Sequence, residues 1–147
     1  MTTFVSSEEI VSGLNNLINL EYDAIAAYRA AIERLDTLTY KEKFSEFLRD
    51  HEDHITSLTN LVIDEGGIPE EGGDMMKILT KGKVVLANLA GDKAILKAMN
   101  ANEKQTNSKY EEAVEDEYPA NIEIELQKGL TDERRHKAWI EATLEQL

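Results

Sequence analysis

Apolar residues recur every three or four positions along most of the chain, which is the spacing of one face of an α-helix. Strand-like alternation is absent, and proline occurs only twice, at Pro69 and Pro119. The pattern therefore predicts an all-α protein. Capping boxes at Ser6-x-x-Glu9 and Thr39-x-x-Glu42 mark the starts of the first two helices. The predicted helices cover about residues 6–36, 39–65, 92–117 and 119–146.

A long connection separates the two predicted helix pairs. Residues 66–74 are rich in Gly, Glu and Pro, and an apolar stretch over about 75–90 predicts a short extra helix within the crossover 66–91. Each long helix of roughly 26 residues would form a rod near 40 Å, which suits a bundle. A long crossover lets the second and third helices run parallel. We therefore predict a single four-helix bundle domain over residues 1–147.

Composition excludes several kinds of chemistry. The chain has no cysteine, so thiolate zinc sites, iron–sulfur clusters and thiol catalysis are ruled out. No basic leader precedes an apolar run and no segment has the roughly 20 apolar residues of a membrane span, so we expect a cytoplasmic protein. A net charge of −13 would repel nucleic acid and anionic lipid and would attract cations, although solubility alone also explains such acidity.

Ionisable residues interrupt the apolar face of each predicted helix near its middle. They are Glu21 on the first helix, His51 and His54 on the second, Glu103 on the third, and Glu133 and His136 on the fourth. Desolvating these groups costs several kcal/mol each unless they are paired, and no Arg or Lys occupies these faces at that level. A divalent metal ion would supply the missing positive charge. Carboxylates with imidazoles suit iron, manganese or zinc.

The two halves of the chain repeat these positions at an offset of 82 residues. Glu21 corresponds to Glu103 and His54 to His136. The same offset relates Tyr28 to Tyr110 and Asp50 to Asp132. The repeat is faint overall and concentrated in ionisable positions, which indicates that both halves contribute to one binding site.

Helices 1 and 3 each carry a Glu, helix 4 carries a Glu-x-x-His, and helix 2 carries a matching His. This set resembles the di-iron carboxylate pattern of ferritin-like proteins such as bacterioferritin and rubrerythrin. The resemblance spans essentially the whole chain and implies a left-handed bundle with one long crossover. It implies metal ligands at Glu21, His54, Glu103, Glu133 and His136, and two iron ions as cofactor. The Leu-Asn-Asn-Leu-Ile start and the Gly-Gly-x-Pro after helix 2 are most similar to a bacterial ferritin-like branch.

Two tyrosines extend this resemblance. Tyr28 lies seven residues after Glu21, as in bacterioferritin, which implies that Tyr28 and Tyr110 bond to metal ligands. The alternative is that both are ordinary core aromatics with a bonded hydroxyl.

The chain departs from the ferritin-like pattern at position 51, where His51 replaces a bridging glutamate. Three carboxylates leave two divalent ions incompletely neutralised. Three arrangements follow. His51 completes a six-ligand site for two ions, Asp50 supplies the fourth carboxylate, or one ion is held mainly by Glu103, Glu133 and His136.

The expected function is that of a di-iron oxidase, ferroxidase or peroxide-reducing protein acting on dioxygen or peroxide. The alternatives are a non-catalytic bundle that holds iron, manganese or zinc, and a structural bundle that acts through protein interactions. Leu147 falls within the fourth helix, which leaves no fifth helix and favours a small homo-oligomer, a dimer, over a closed storage cage.

Overall fold

The computed structural model describes residues 6–72, 86, 89 and 91–147, and these residues form four long helices. The helices are α1 (Ser7–Arg34), α2 (Leu38–Asp64), α3 (Asp92–Glu115) and α4 (Ala120–Glu145). The described ranges contain no β-strand, so the prediction of an all-α four-helix protein is confirmed. Apart from Leu86 and Leu89, the predicted short helix over about 75–90 lies outside the described residues. No helix in these ranges is long and apolar enough to cross a membrane.

The helix ends follow local chemistry, with one correction to the sequence analysis. The Ser6 side chain accepts a hydrogen bond from the Glu9 backbone N–H at 3.2 Å, which confirms that the first helix is capped at Ser6. The second capping box was wrong, because α2 already begins at Leu38, after Thr37. Asp92 of α3 accepts hydrogen bonds from the Thr37 backbone and hydroxyl, which hold this residue in the turn.

The turn between α1 and α2 also fixes the direction of α3. Asp92, at the start of α3, accepts a hydrogen bond from the Asp36 N–H at 2.7 Å. Helices α2 and α3 therefore begin at the same end of the bundle. At the other end, residues 66–72 turn back along α1, where the Asn15 side chain donates to the Ile68 carbonyl and accepts from the Glu70 N–H.

The apolar interior is divided into two clusters, one toward each end of the bundle. The first includes Leu14, Ile18, Val62, Ile122 and Leu126. The second includes Phe44, Phe47, Leu96, Met99 and Ile140. Burial of these side chains drives the packing of all four amphipathic helices. Between the two clusters lies a layer of buried ionisable residues.

Gly129 lets α4 pass close to this layer. A Cβ at position 129 would lie 2.5 Å from Cε1 of Tyr110, whose hydroxyl donates a hydrogen bond to Glu21. We predict that Gly129→Ala destabilises the protein by about 1–3 kcal/mol, although alanine favours a helix interior by about 1 kcal/mol. Denaturant unfolding measures this change, with exposed Gln127→Ala as the neighbouring control. A Gly129→Ala variant as stable as the parent would contradict the close packing.

Candidate metal centre

Six ionisable side chains from all four helices meet between the two apolar clusters. Five have no exposed surface, and His54 is 7% exposed. The members are Glu21 from α1, His51 and His54 from α2, Glu103 from α3, and Glu133 and His136 from α4. The structure thus brings together the six residues at which the sequence predicted a metal site.

Within this layer the ligand-type atoms form two overlapping groups that could each hold a metal ion. One group contains Glu21, His51, His54 and Glu133, with all four ligand atoms within 4.8 Å of one another. The other contains His51, Glu103, Glu133 and His136, within the same limit. His51 and Glu133 belong to both groups. These shared residues correspond to each other at the 82-residue offset, so the break in the repeat falls at the centre of the site.

The two unshared histidines are oriented alike. Nδ1 of His54 faces Glu21 and Glu133, and Nδ1 of His136 faces Glu103 and Glu133. Their outer Nε2 atoms each lie 2.8 Å from an aspartate, Asp132 for His54 and Asp50 for His136. An aspartate on the outer nitrogen fixes the ring orientation and leaves the inner nitrogen as the potential ligand.

Two tyrosines, one from each half of the chain, also contact the carboxylates of the site. The Tyr110 hydroxyl donates to Oε1 of Glu21 at 2.9 Å, and the Tyr28 hydroxyl donates to Oε1 of Glu103. Both tyrosines are therefore placed against carboxylates of the site, each reaching from one half of the chain to the other. Their rings also belong to the flanking apolar clusters, so both alternatives from the sequence analysis describe part of their environment.

Several buried polar atoms at the centre have no hydrogen-bond partner. They are Nε2 of His51, both carboxylate oxygens of Glu133 and Nδ1 of His136. Leaving such atoms without partners costs about 1–3 kcal/mol each, and more for charged groups. All of these atoms belong to the group that contains His51, Glu103, Glu133 and His136. A metal ion bound there would satisfy these atoms, so the residues fit a metal.

The imidazoles themselves provide positive charge when protonated, which the sequence analysis did not consider. Burial would raise the pKa of Glu21, but His51 and His54 outweigh it and lower that pKa to about 2. Burial would lower the pKa of His54, yet Asp132, Glu133 and Glu21 raise it to about 12. Glu133 behaves differently, because burial raises its pKa and the facing imidazoles only partly offset that effect. The metal-free layer therefore pairs carboxylates with imidazolium groups.

This pairing predicts opposite pH dependences for folding and for metal binding. Burial lowers the pKa of His136, but Asp50 and Glu103 raise it from 6.5 to about 9. Its contribution to metal-free stability is complete below pH 6.5 and is lost as the pH rises to about 9, by roughly 3 kcal/mol at most. Metal affinity should rise over this interval, because a coordinating imidazole must lose its proton.

Two measurements check this prediction. Thermal unfolding of chelator-treated protein should show falling stability above pH 6.5, and calorimetric metal titrations in buffers of different ionisation enthalpy should show proton release. Metal-free stability that increases between pH 6.5 and 9 would contradict the ion pairing.

Asp50 occupies a place other than the one considered in the sequence analysis. It lies outside both groups, and its carboxylate contacts the outer nitrogen of His136. Sequence reasoning also did not assign roles to Asp132 or Arg135. The Arg135 guanidinium lies 2.6 Å from Asp50 and 3.2 Å from Asp132, and so joins the two aspartates. The 82-residue repeat, which pairs Asp50 with Asp132, was the one sequence signal for a role of Asp132. The repeat gave no such signal for Arg135, because Arg135 corresponds to an acidic residue, Asp53.

The family described as Domain of unknown function (DUF2383) matches residues 9–116, which is most of the chain. The protein belongs to the DUF2383 family. The DUF2383 match begins within the first turn of α1, includes α2 and α3, and ends before α4, which carries Glu133 and His136. No curated protein matches the chain. The geometry of its own site is therefore what indicates the function of this DUF2383 protein.

Proposed function

We propose that this protein is a ferritin-like metal-binding bundle whose centre holds two iron ions and reacts with dioxygen or peroxide. The single observation that carries the proposal is the cluster of four unpartnered buried atoms on His51, Glu133 and His136. An interior of this kind is poorly suited to folding alone and well suited to a bound cation.

The arrangement of the helices supports the ferritin-like part of the proposal. Helices α2 and α3 begin at the same end of the bundle, so the chain between Asp64 and Asp92 must cross its length. Residues 67–72 start this passage along α1, beside Val11 and then Tyr22. A left-handed bundle with one long crossover accounts for both features.

Each side chain then has a defined part in the proposed site. Glu21 and His54 would hold one ion, Glu103 and His136 the other, and Glu133 would join the two. Asp132 and Asp50 hold the imidazoles, and Tyr110 and Tyr28 hold the terminal carboxylates by donating to them. The flanking apolar clusters exclude water. Bound iron would supply one-electron chemistry toward dioxygen or peroxide.

The role of His51 is the point at which this site differs from the four-carboxylate ferritin-like pattern. Its Nδ1 lies 2.7 Å from Glu21, and its Nε2 lies 3.7 Å from Glu103, so the ring faces both groups. Three carboxylates carry less negative charge than two divalent ions require. We therefore expect the second ion to bind more weakly than the first. Manganese or zinc remain alternatives to iron, since the ligand types suit all three metals.

A second candidate function is a bundle that does not turn over substrate. The close pairing of Glu21 with His51 at 2.7 Å favours it, because imidazolium and carboxylate groups neutralise each other without a metal. Such a protein would bind metal without redox activity, or would act only through protein interactions.

Anaerobic titration with ferrous iron, followed by exposure to air in an oxygen electrode, separates these candidates. The proposal predicts two iron ions per chain and iron-dependent oxygen or peroxide consumption. The paired variants Glu21→Ala/His54→Ala and Glu103→Ala/His136→Ala should each lose one ion, while exposed Glu112→Ala should bind iron normally. Iron binding without oxygen or peroxide consumption would favour the second candidate, and absence of binding would contradict both metal-based functions.

A further inference from the structure

The buried layer reaches the surface at one of its six residues, and that residue faces the groove between α2 and α4. Only His54 has any exposed surface, whereas the other five residues have none. A cavity of about 180 Å³ in this groove has His54 among its lining residues. On the inner side, Nδ1 of His54 lies 3.6 Å from Oε1 of Glu133, one of the unpartnered atoms. Of the six residues of the centre, His54 is therefore the one that lines this cavity.

Carboxylates surround this cavity. They are Asp50, Asp53, Glu125 and Asp132, and the basic residues that line the cavity with them are Lys128 and His54. Asp50 and Asp53 also line a neighbouring cavity of about 550 Å³, together with Arg135. An acidic, concave surface of this kind raises the local concentration of cations and increases their rate of association.

Arg135 lines the larger of these two neighbouring cavities. It contacts Asp50 and Asp132, the same aspartates that hold the outer nitrogens of His136 and His54. Its guanidinium is 49% exposed, so it can move into solvent without opening the bundle. Exposed ion pairs of this kind contribute little to stability and exchange readily with other cations.

A larger cavity on the opposite side of the bundle does not offer the same access. It has a volume of about 650 Å³ and lies between α1 and α3, beside Asn16 and Glu112. It is also lined by acidic residues, but by none of the six residues of the centre. Acidity alone therefore does not distinguish the two grooves, whereas contact with His54 does.

We propose that the α2–α4 groove is the entrance through which divalent cations reach the centre, and that Arg135 is a displaceable cation that occupies this entrance. The inference rests on the proposed metal-binding function. An arriving ion meets Asp53 and Glu125 first, replaces Arg135 beside Asp50 and Asp132, and passes His54 to reach Glu133. Arg135 neutralises the two aspartates until an ion arrives.

Stopped-flow mixing of the metal-free protein with cobalt(II) chloride tests the entrance, because the visible absorption of bound cobalt reports uptake. At low ionic strength, Asp53→Asn/Glu125→Gln should slow cobalt association about tenfold, and added salt should slow the parent more than this variant. Arg135→Gln should accelerate association several-fold, whereas Arg135→Lys should resemble the parent. Glu112→Gln, in the opposite groove, should leave the rate unchanged. All of these variants should bind the same final amount of cobalt.

Equal association rates for Asp53→Asn/Glu125→Gln and Glu112→Gln would overturn the entrance, and so would slowing by Glu112→Gln alone. Slower association in Arg135→Gln would overturn the role of Arg135 as a displaceable cation. Failure of the parent protein to bind cobalt at equilibrium would instead refute the proposed metal-binding function, and the entrance with it. The equilibrium stoichiometry, measured separately, thus distinguishes failure of the site from failure of the route.

Discussion

Replacing Glu133 by glutamine should abolish stoichiometric metal binding, because this residue is shared by both candidate groups. Glutamine keeps the size of the side chain and removes its charge. Each ion would lose an anionic ligand, and we expect affinity to fall at least about a hundredfold at both positions. Elemental analysis of purified protein and calorimetric titration with ferrous iron or zinc measure the loss.

The matched control is Glu141→Gln on the same helix, where the side chain pairs with Lys137 near the surface. It should bind metal as the parent does. Retention of both ions by Glu133→Gln would contradict the shared position of Glu133.

His51→Glu should tighten binding of the second ion and destabilise the metal-free protein. The substitution restores the 82-residue repeat at the centre, since position 51 corresponds to Glu133. A fourth carboxylate neutralises two divalent ions more fully, and we expect at least about a tenfold gain in affinity. Without metal, four buried carboxylates would face only two imidazoles, so stability should fall by about 3–5 kcal/mol.

His51→Gln separates charge from shape in this experiment. It removes the imidazole without adding a carboxylate, so it should weaken metal binding rather than strengthen it. Thermal unfolding with and without added metal measures both effects, and the difference in midpoint should be largest for His51→Glu. If His51→Glu bound metal more weakly than the parent, the imidazole itself would be the required ligand at this position.

The periodicity of the sequence was sufficient to predict four helices and to place Glu21 in the interior, because an apolar face three or four residues apart defines which side of a helix is buried. It was insufficient at the start of α2. The prediction there relied on Thr39, whereas the structure begins the helix at Leu38, after Thr37 bonds to Asp92 of another helix. Such a tertiary contact is not encoded in local spacing.

The same limit applies to the site. The apolar face of each helix was sufficient to identify the six inward residues, since each of them lies in line with apolar neighbours on that face. Two contacts run between α2 and α4: Asp132 bonds to His54, and Arg135 bonds to Asp50. These contacts depend on how the two helices are rotated against each other, which the spacing of residues along one helix does not determine. Arg and Lys are also not the only cations available to the site, because buried histidines beside carboxylates become imidazolium groups.

The central claim is that the polar layer between the two apolar clusters binds metal. The most direct test is elemental analysis of natively expressed protein together with an anomalous-difference map of its crystals at the absorption edge of the metal found. We predict strong anomalous peaks within ligand distance of Glu133, with Glu21 and His54 on one side and Glu103 and His136 on the other. Protein that contains no metal, or anomalous peaks that lie only outside this layer, would contradict the claim.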